Sequence, residues 1–138
     1  MPKIKRVHHI AIVVNSLEKS LPFWQEILGM HSSRLIDVPQ EAARVAFLPL
    51  GESEIELVQP AGDGSGLDRF LEKHGPGMHH LCFEVDDLAA MLDQLREKGV
   101  MLINDQPKVA DDGRQYAFIH PRSTQGVLIE LYQLPDVG

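Results

Sequence analysis

The chain has 138 residues, a formal net charge of −7 and a single cysteine, Cys82. That length suits one domain that buries its core without staples and leaves no room for a second full domain. The acidic balance excludes a nonspecific nucleic-acid binder, which needs a basic face; one thiol excludes an internal disulfide framework and fits a reducing compartment; and no apolar run approaches the roughly 20 residues of a spanning helix. With no basic-then-apolar leader, the expectation is a soluble, cytoplasmic protein without nucleic-acid or membrane partners. Lys3, Lys5 and Arg6 read as a short solvated start.

In chain order, "HHIAIVV" at 8–14 alternates as a strand, with Ile10, Ile12 and Val14 on one face and His9, Ala11 and Val13 on the other. Residues 16–28 change to helical spacing. Ser16 is a good N-cap, Leu17, Leu21, Trp24 and Leu28 form the apolar stripe, and Gly29 closes the helix. Strand-like runs follow at about 33–38, 44–50 and 54–59. Segment 60–78 opens as a Gly/Pro-rich linker, and its "LDRFLEKH" predicts a short helix started by Asp68 or the preceding glycines, with His74 at the surface near its end. A strand over 79–85, a helix over 87–98 and strands over 100–103, 115–120 and 126–133 complete the chain.

The second half repeats the first. His8 falls on His79 at an offset of 71, Ile10, Ile12 and Val14 fall on Leu81, Phe83 and Val85, and Ser16 falls on Asp87. "VAFLP" at 45–49 lies over "YAFIH" at 116–120, and "IELVQ" at 55–59 over "IELYQ" at 129–133. Four phrases in one order mark two related βαβββ modules, about 5–62 and 76–135, within a single domain over 1–138. The expected fold is α+β, with the two mixed sheets pairing into a concave metal-binding cup.

Strand parity then selects the residues in that cup. Ile10, Ile12 and Val14 face the helix, so His9 faces the cup, and its copy His80 does the same with Cys82 beside it. In "EIELV" the pair Ile55 and Leu57 faces the helix and Glu56 the cup; in "VLIELY" Val127, Ile129 and Leu131 face the helix and Glu130 the cup. A mid-strand carboxylate between core residues is costly to bury without a partner, and here it occurs twice at equivalent positions. Two imidazoles and two carboxylates related by one symmetry operation are a divalent metal site of type N₂O₂, which suits Co, Ni, Fe, Mn or Zn without choosing among them. His8 and His79, of opposite parity, are expected to make supporting hydrogen bonds, His31 to be superficial, and Cys82 to be a small apolar wall residue.

With these features the sequence resembles the vicinal oxygen chelate (glyoxalase/bleomycin-resistance/dioxygenase) superfamily over nearly its whole length. "GMHHLCFEVDDL", "HPRSTQGVLIEL" and "QPKV" at 106–109 are most similar to the methylmalonyl-CoA epimerases within it. The resemblance implies an isomerase with His9, Glu56, His80 and Glu130 on a divalent ion, often cobalt, and a homodimer that interconverts the C2 epimers of an acyl-CoA substrate. That reaction needs removal and return of the C2 proton on opposite faces of a metal-stabilised enolate, and the expectation is Glu130 as one base with Glu56 or a bound water as the other. Some relatives place a second catalytic Glu on the strand before the Glu56 position; Arg44 stands near that place here, and Glu41 is the nearest carboxylate. Lys108, Arg114 and Arg122 are candidate cations for the phosphates of CoA. Three rivals share parts of the pattern. A glyoxalase I-type lactoylglutathione lyase uses the same quartet, an extradiol dioxygenase uses two His and one Glu, and a non-enzymatic small-molecule binder needs no metal.

Overall fold

Alternation of apolar and polar residues makes the first element a strand, β1 (Ile4–Val13), longer at its start than its apolar run suggests. The structure is a computed structural model that describes residues 1–32 and 34–136. After β1 come α1 (Leu17–Pro22), β2 (Arg34–Val38), β3 (Ala43–Leu50), β4 (Ser53–Pro60) and α2 (Gly66–His74). The order continues with β5 (Gly77–Val85), α3 (Leu88–Glu97), β6 (Lys108–Val109), β7 (Gln115–Ile119) and β8 (Ile129–Gln133). This is the expected α+β class with the βαβββ order written twice. The strand expected from 33 starts on Ser33, which lies outside the described residues.

The chain divides into two compact units, one of His9–His79 and one of Met1–His8 with the chain from His80 onward. In the first, the strand order is β2-β3-β4-β1, with β1 and β4 parallel and the other pairs antiparallel. In the second, the order is β5-β8-β7-β6, with β5 and β8 parallel. Each parallel pair follows from the helix that separates its first strand from the rest of the module.

Each sheet has one face packed by its module helix. In the first unit Ile12, Val14, Ala46, Leu48, Ile55 and Leu57 meet Leu17, Leu21 and Trp24. In the second, Phe83, Val85, Ala117, Ile119, Ile129 and Leu131 meet Leu88, Met91, Leu92 and Leu95. The parity read from the sequence therefore holds at these positions. Val127 is the exception, standing exposed before β8 begins.

Two devices fix each helix start. Ser16 Oγ accepts from Lys19 N–H, and Asp87 Oδ1 accepts from Ala90 N–H, as N-caps do. Gln59 and Gln133, the last letters of "IELVQ" and "IELYQ", accept the N–H of Leu17 and Leu88 through Oε1 at 2.8 and 2.7 Å. A parallel strand thus ends by satisfying the first helical N–H of its own module, a role the sequence pattern does not announce.

Three expectations change. The helix expected over 16–28 is α-helical only to Pro22; Leu28 N–H then bonds Phe23 C=O in a wide π turn that rotates the stripe, so Leu28 is exposed and Met30 takes its place in the core. The expected strand at 100–103 reduces to one bridge between Leu102 and Ile119, and β6 carries the edge instead. The α2 cap is Ser65, whose hydroxyl accepts from Asp68 N–H, rather than Asp68 or a glycine. Gly29, at φ 78°, closes the π turn in the left-handed conformation that glycine tolerates. No helix of the described residues is long and apolar enough to cross a membrane.

The basic start is not merely solvated. Arg6 Nε lies 2.6 Å from Glu84 Oε1 and Lys5 Nζ 3.3 Å from Oε2, and Glu84 is buried. Burial pushes the Glu84 carboxyl upward, but the hydrogen bonds and charges of Arg6 and Lys5 outweigh it and hold the carboxyl below its ordinary 4.5. A depressed folded value means the pair stabilises the fold above pH 4.5 and stops doing so as pH falls through the lower folded value. The stability gap between wild type and E84Q, measured by denaturant unfolding, should be constant near neutrality and shrink below that pH. Replacing either glutamine by alanine, Q59A or Q133A, should cost about 1–2 kcal/mol. Calorimetry should read this as a fall in Tm of roughly 3–8 °C.

Candidate functional site

The face of each sheet opposite its helix carries one imidazole and one carboxylate. In the first unit, the β1–β4 register puts Glu56 beside Ala11, and His9 stands two residues before Ala11 on the same face. In the second, the β5–β8 register puts Glu130 beside Cys82, and His80 stands two residues before Cys82. The two registers match residue for residue under the repeat, although the sequence shows no contact between strands. Alternation alone fixes the faces; the parallel pairing fixes which Glu reaches which His.

The pairs close to hydrogen-bonding distance. His9 Nδ1 is 3.2 Å from Glu56 Oε2, and His80 Nε2 is 3.1 Å from Glu130 Oε1. His9 and Glu130 are buried, at 1% and 6% exposure, so neither charge nor polarity is relieved by bulk water. Two donors bound side by side to one ion through bonds of about 2.1 Å lie about 3 Å apart. Each pair therefore has the spacing and the chemistry of half a divalent-cation donor set. Neutral imidazole nitrogen with carboxylate oxygen is the mixture that cobalt, nickel, manganese, zinc and iron accept.

Aromatic rings back both carboxylates. Phe47 stands directly opposite Glu56 across β3–β4, and Phe118 directly opposite Glu130 across β7–β8. Phe118 meets the His80 ring edge-on at 5.8 Å. The equivalence of Phe47 and Phe118 is visible in "VAFLP" and "YAFIH", yet their place beside the carboxylates is not, because it depends on antiparallel register.

The remaining candidates separate. Cys82 is fully buried beside Glu130, as an apolar wall residue should be. His8 and His79 make ring contacts, His8 with Tyr132 at 4.8 Å and His79 with Phe70 at 4.9 Å. His31 and His74 are exposed. Arg44 is exposed and pairs with Asp37 at 3.2 Å, and Glu41 closes an exposed 3₁₀ turn, Pro39–Glu41. Of the three candidate phosphate cations, Lys108 and Arg122 are exposed, whereas Arg114 is half-buried with its guanidinium 4.6 Å over the Tyr132 ring.

Comparison with known proteins gives three findings. A family model described as the Glyoxalase/Bleomycin resistance protein/Dioxygenase superfamily matches residues 8–118. The mitochondrial methylmalonyl-CoA epimerase of Mus musculus is 36% identical over 95% of this chain and 74% of its own, and the ethylmalonyl-CoA/methylmalonyl-CoA epimerase of Cereibacter sphaeroides is 37% identical over 95% and 99%. A solved methylmalonyl-CoA epimerase in complex with methylmalonyl-CoA and NH4+ superposes with a TM-score of 0.86 at 28% identity, covering 98% of both chains.

Proposed function

Because this chain belongs to the Glyoxalase/Bleomycin resistance protein/Dioxygenase superfamily, we propose that it is a metal-dependent epimerase interconverting the C2 epimers of methylmalonyl-CoA. The relatives named above support the substrate, and the observation that carries the chemistry is the repeated His–Glu pair at matched register. In this reading the residues 1–138 form one domain, and His9, Glu56, His80 and Glu130 together hold one divalent ion, with cobalt the first choice and nickel, manganese, zinc or iron the others. The protein works as a cytoplasmic homodimer on a small acyl-CoA.

The chemistry follows from the substrate. The C2 proton of methylmalonyl-CoA lies between a thioester and a carboxylate, so its removal spreads negative charge onto oxygen. A bound divalent ion supplies the Lewis acid that lowers the cost of that charge. The chain itself must move a proton off one face of C2 and return one to the other. Glu130 is the assigned base on one side. Its Oε1 lies 3.1 Å from His80 Nε2. Glu56, the equivalent residue of the first unit, or a water takes the opposite side. The apolar surroundings of each pair, Ala11 and Phe47 in one and Cys82 and Phe118 in the other, keep bulk water from quenching the carbanionic carbon.

The direct test is exchange of the C2 hydrogen of methylmalonyl-CoA with solvent deuterium, with the metal content measured alongside. Chelation should abolish exchange, and cobalt should restore it. E130Q should lose exchange by at least about 100-fold, the usual size of a general base's contribution; undiminished exchange in E130Q would overturn the base assignment. A chain that turns over the glutathione hemithioacetal of methylglyoxal but not methylmalonyl-CoA would be a lactoylglutathione lyase instead. H9A and H80A should each weaken cobalt binding by at least about tenfold in calorimetry. A large effect from one and none from the other would remove the shared four-residue donor set.

A further inference from the structure

The two modules hold their retained phenylalanine from outside in different ways. In the first unit β2 runs along the outer edge of β3, and Phe47 stands opposite Arg34 in a backbone ladder. In the second, the edge strand β6 reaches only Gln115 and Tyr116 of β7. Beyond it, the segment 101–105 is tied to β7 by other means. His120 N–H donates to Met101 C=O at 2.9 Å, Ile103 N–H to Phe118 C=O at 2.9 Å, and Phe118 N–H to Asn104 Oδ1 at 2.8 Å. From the other side, Arg96 of α3 donates to Asp105 C=O. A side-chain amide thus replaces the backbone carbonyl that a full edge strand would supply. A ladder accepts almost any side chain, whereas this tie needs an acceptor on residue 104.

The tie matters because of what Phe118 touches. In an antiparallel strand the N–H and C=O of one residue point to the same edge, so both of Phe118's point away from β8. Phe118 and Glu130 are therefore a non-hydrogen-bonded pair, the kind whose side chains lie closest. The Phe118 ring also meets the His80 ring edge-on at 5.8 Å, and Tyr116 meets Phe118 edge-on at 6.4 Å. The last torsion of an imidazole or a phenyl group has no sharp preference of its own. Packing therefore decides which way the His80 ring turns. Its Nε2 lies 3.1 Å from Glu130 Oε1, and a turned ring would take that nitrogen off the carboxylate. Phe118 is half-buried, and Asn104 satisfies an N–H that would otherwise lie unpaired beside the site.

We infer that Asn104 is a positioning residue: through the Phe118 backbone it sets the orientation of the His80 imidazole, and with it the strength of metal binding. The role rests on His80 being a metal ligand, as proposed above, and the test separates the two. Wild type is compared with N104L, N104D, F118L and the double variant N104L/F118L. N104L keeps the size of the side chain and loses the acceptor; N104D keeps an acceptor. In metal-free protein the His80 ring-proton resonances, which sense the Phe118 ring current, should move in N104L and stay in N104D. In calorimetry N104L should bind cobalt about 10- to 100-fold more weakly, the usual worth of a residue that orients a ligand, and N104D as wild type does. The visible spectrum of bound cobalt, which reports ligand geometry, should change in N104L alone of these two. Adding N104L to F118L should weaken cobalt no further, because the route through the ring is already lost.

Unmoved His80 resonances in N104L, or equal losses in N104L and N104D, would overturn the role. So would a full further loss in the double variant. A wild-type chain that binds no cobalt would remove the metal reading, yet the resonances would still decide whether Asn104 orients His80. Should N104L fail to fold, N104A, which also lacks the acceptor, carries the same comparisons.

Discussion

A carboxylate in the middle of a strand, with both sequence neighbours committed to the core, constrains everything around it. Leu57 and Leu131 are almost completely buried, and Ile55 and Ile129 pack on the same helix-bearing faces. These residues fix the strand's rotation, so Glu56 and Glu130 must project from the opposite face whatever the cost of desolvating them. A one-residue slip would bury the carboxylates under the helices and expose the leucines. Stability and site geometry are therefore set by the same alternation, and the helix-side cores hold the His–Glu distances near 3 Å.

The helices serve this arrangement through their first turns. Gln59 and Gln133 end the very strands that carry Glu56 and Glu130, and each accepts the leading N–H of its module's helix. The carboxylate strand and the helix that packs it are thus tied at a fixed point three residues from the carboxylate. Such a tie restrains sliding of β4 against α1 and of β8 against α3. It explains why the glutamine recurs in both copies.

Much of this was legible in the sequence, for a physical reason. Parity, capping and repeat equivalence are local properties, so the faces of His9, Glu56, His80 and Glu130, the caps Ser16 and Asp87, and the βαβββ order could all be read from spacing. Features that depend on hydrogen bonds between distant segments could not. The wide turn after Pro22 displaces Leu28 from a stripe that spacing alone endorses, because 3.6-residue periodicity presumes an unbroken α-helix. The run at 100–103 is apolar enough for a strand, but it pairs only as an isolated bridge, with Leu102 opposite Ile119. Lys5 and Arg6 read as solvated charge because Glu84 lies some 80 residues away in sequence and beside them in the fold.

Duplication also explains why the two units are not interchangeable. Each unit keeps the same His, Glu and Phe at matched register. The divergence lies away from the retained His, Glu and Phe. There one unit has become dry and closed by α2, and the other has gained arginine and two tyrosines. Retained and diverged positions can lie on one face, two residues apart, because strand parity alternates residue by residue. For the epimerisation proposed above, a repeated His–Glu pair is the feature that would suit near-equal access to both faces of one carbon.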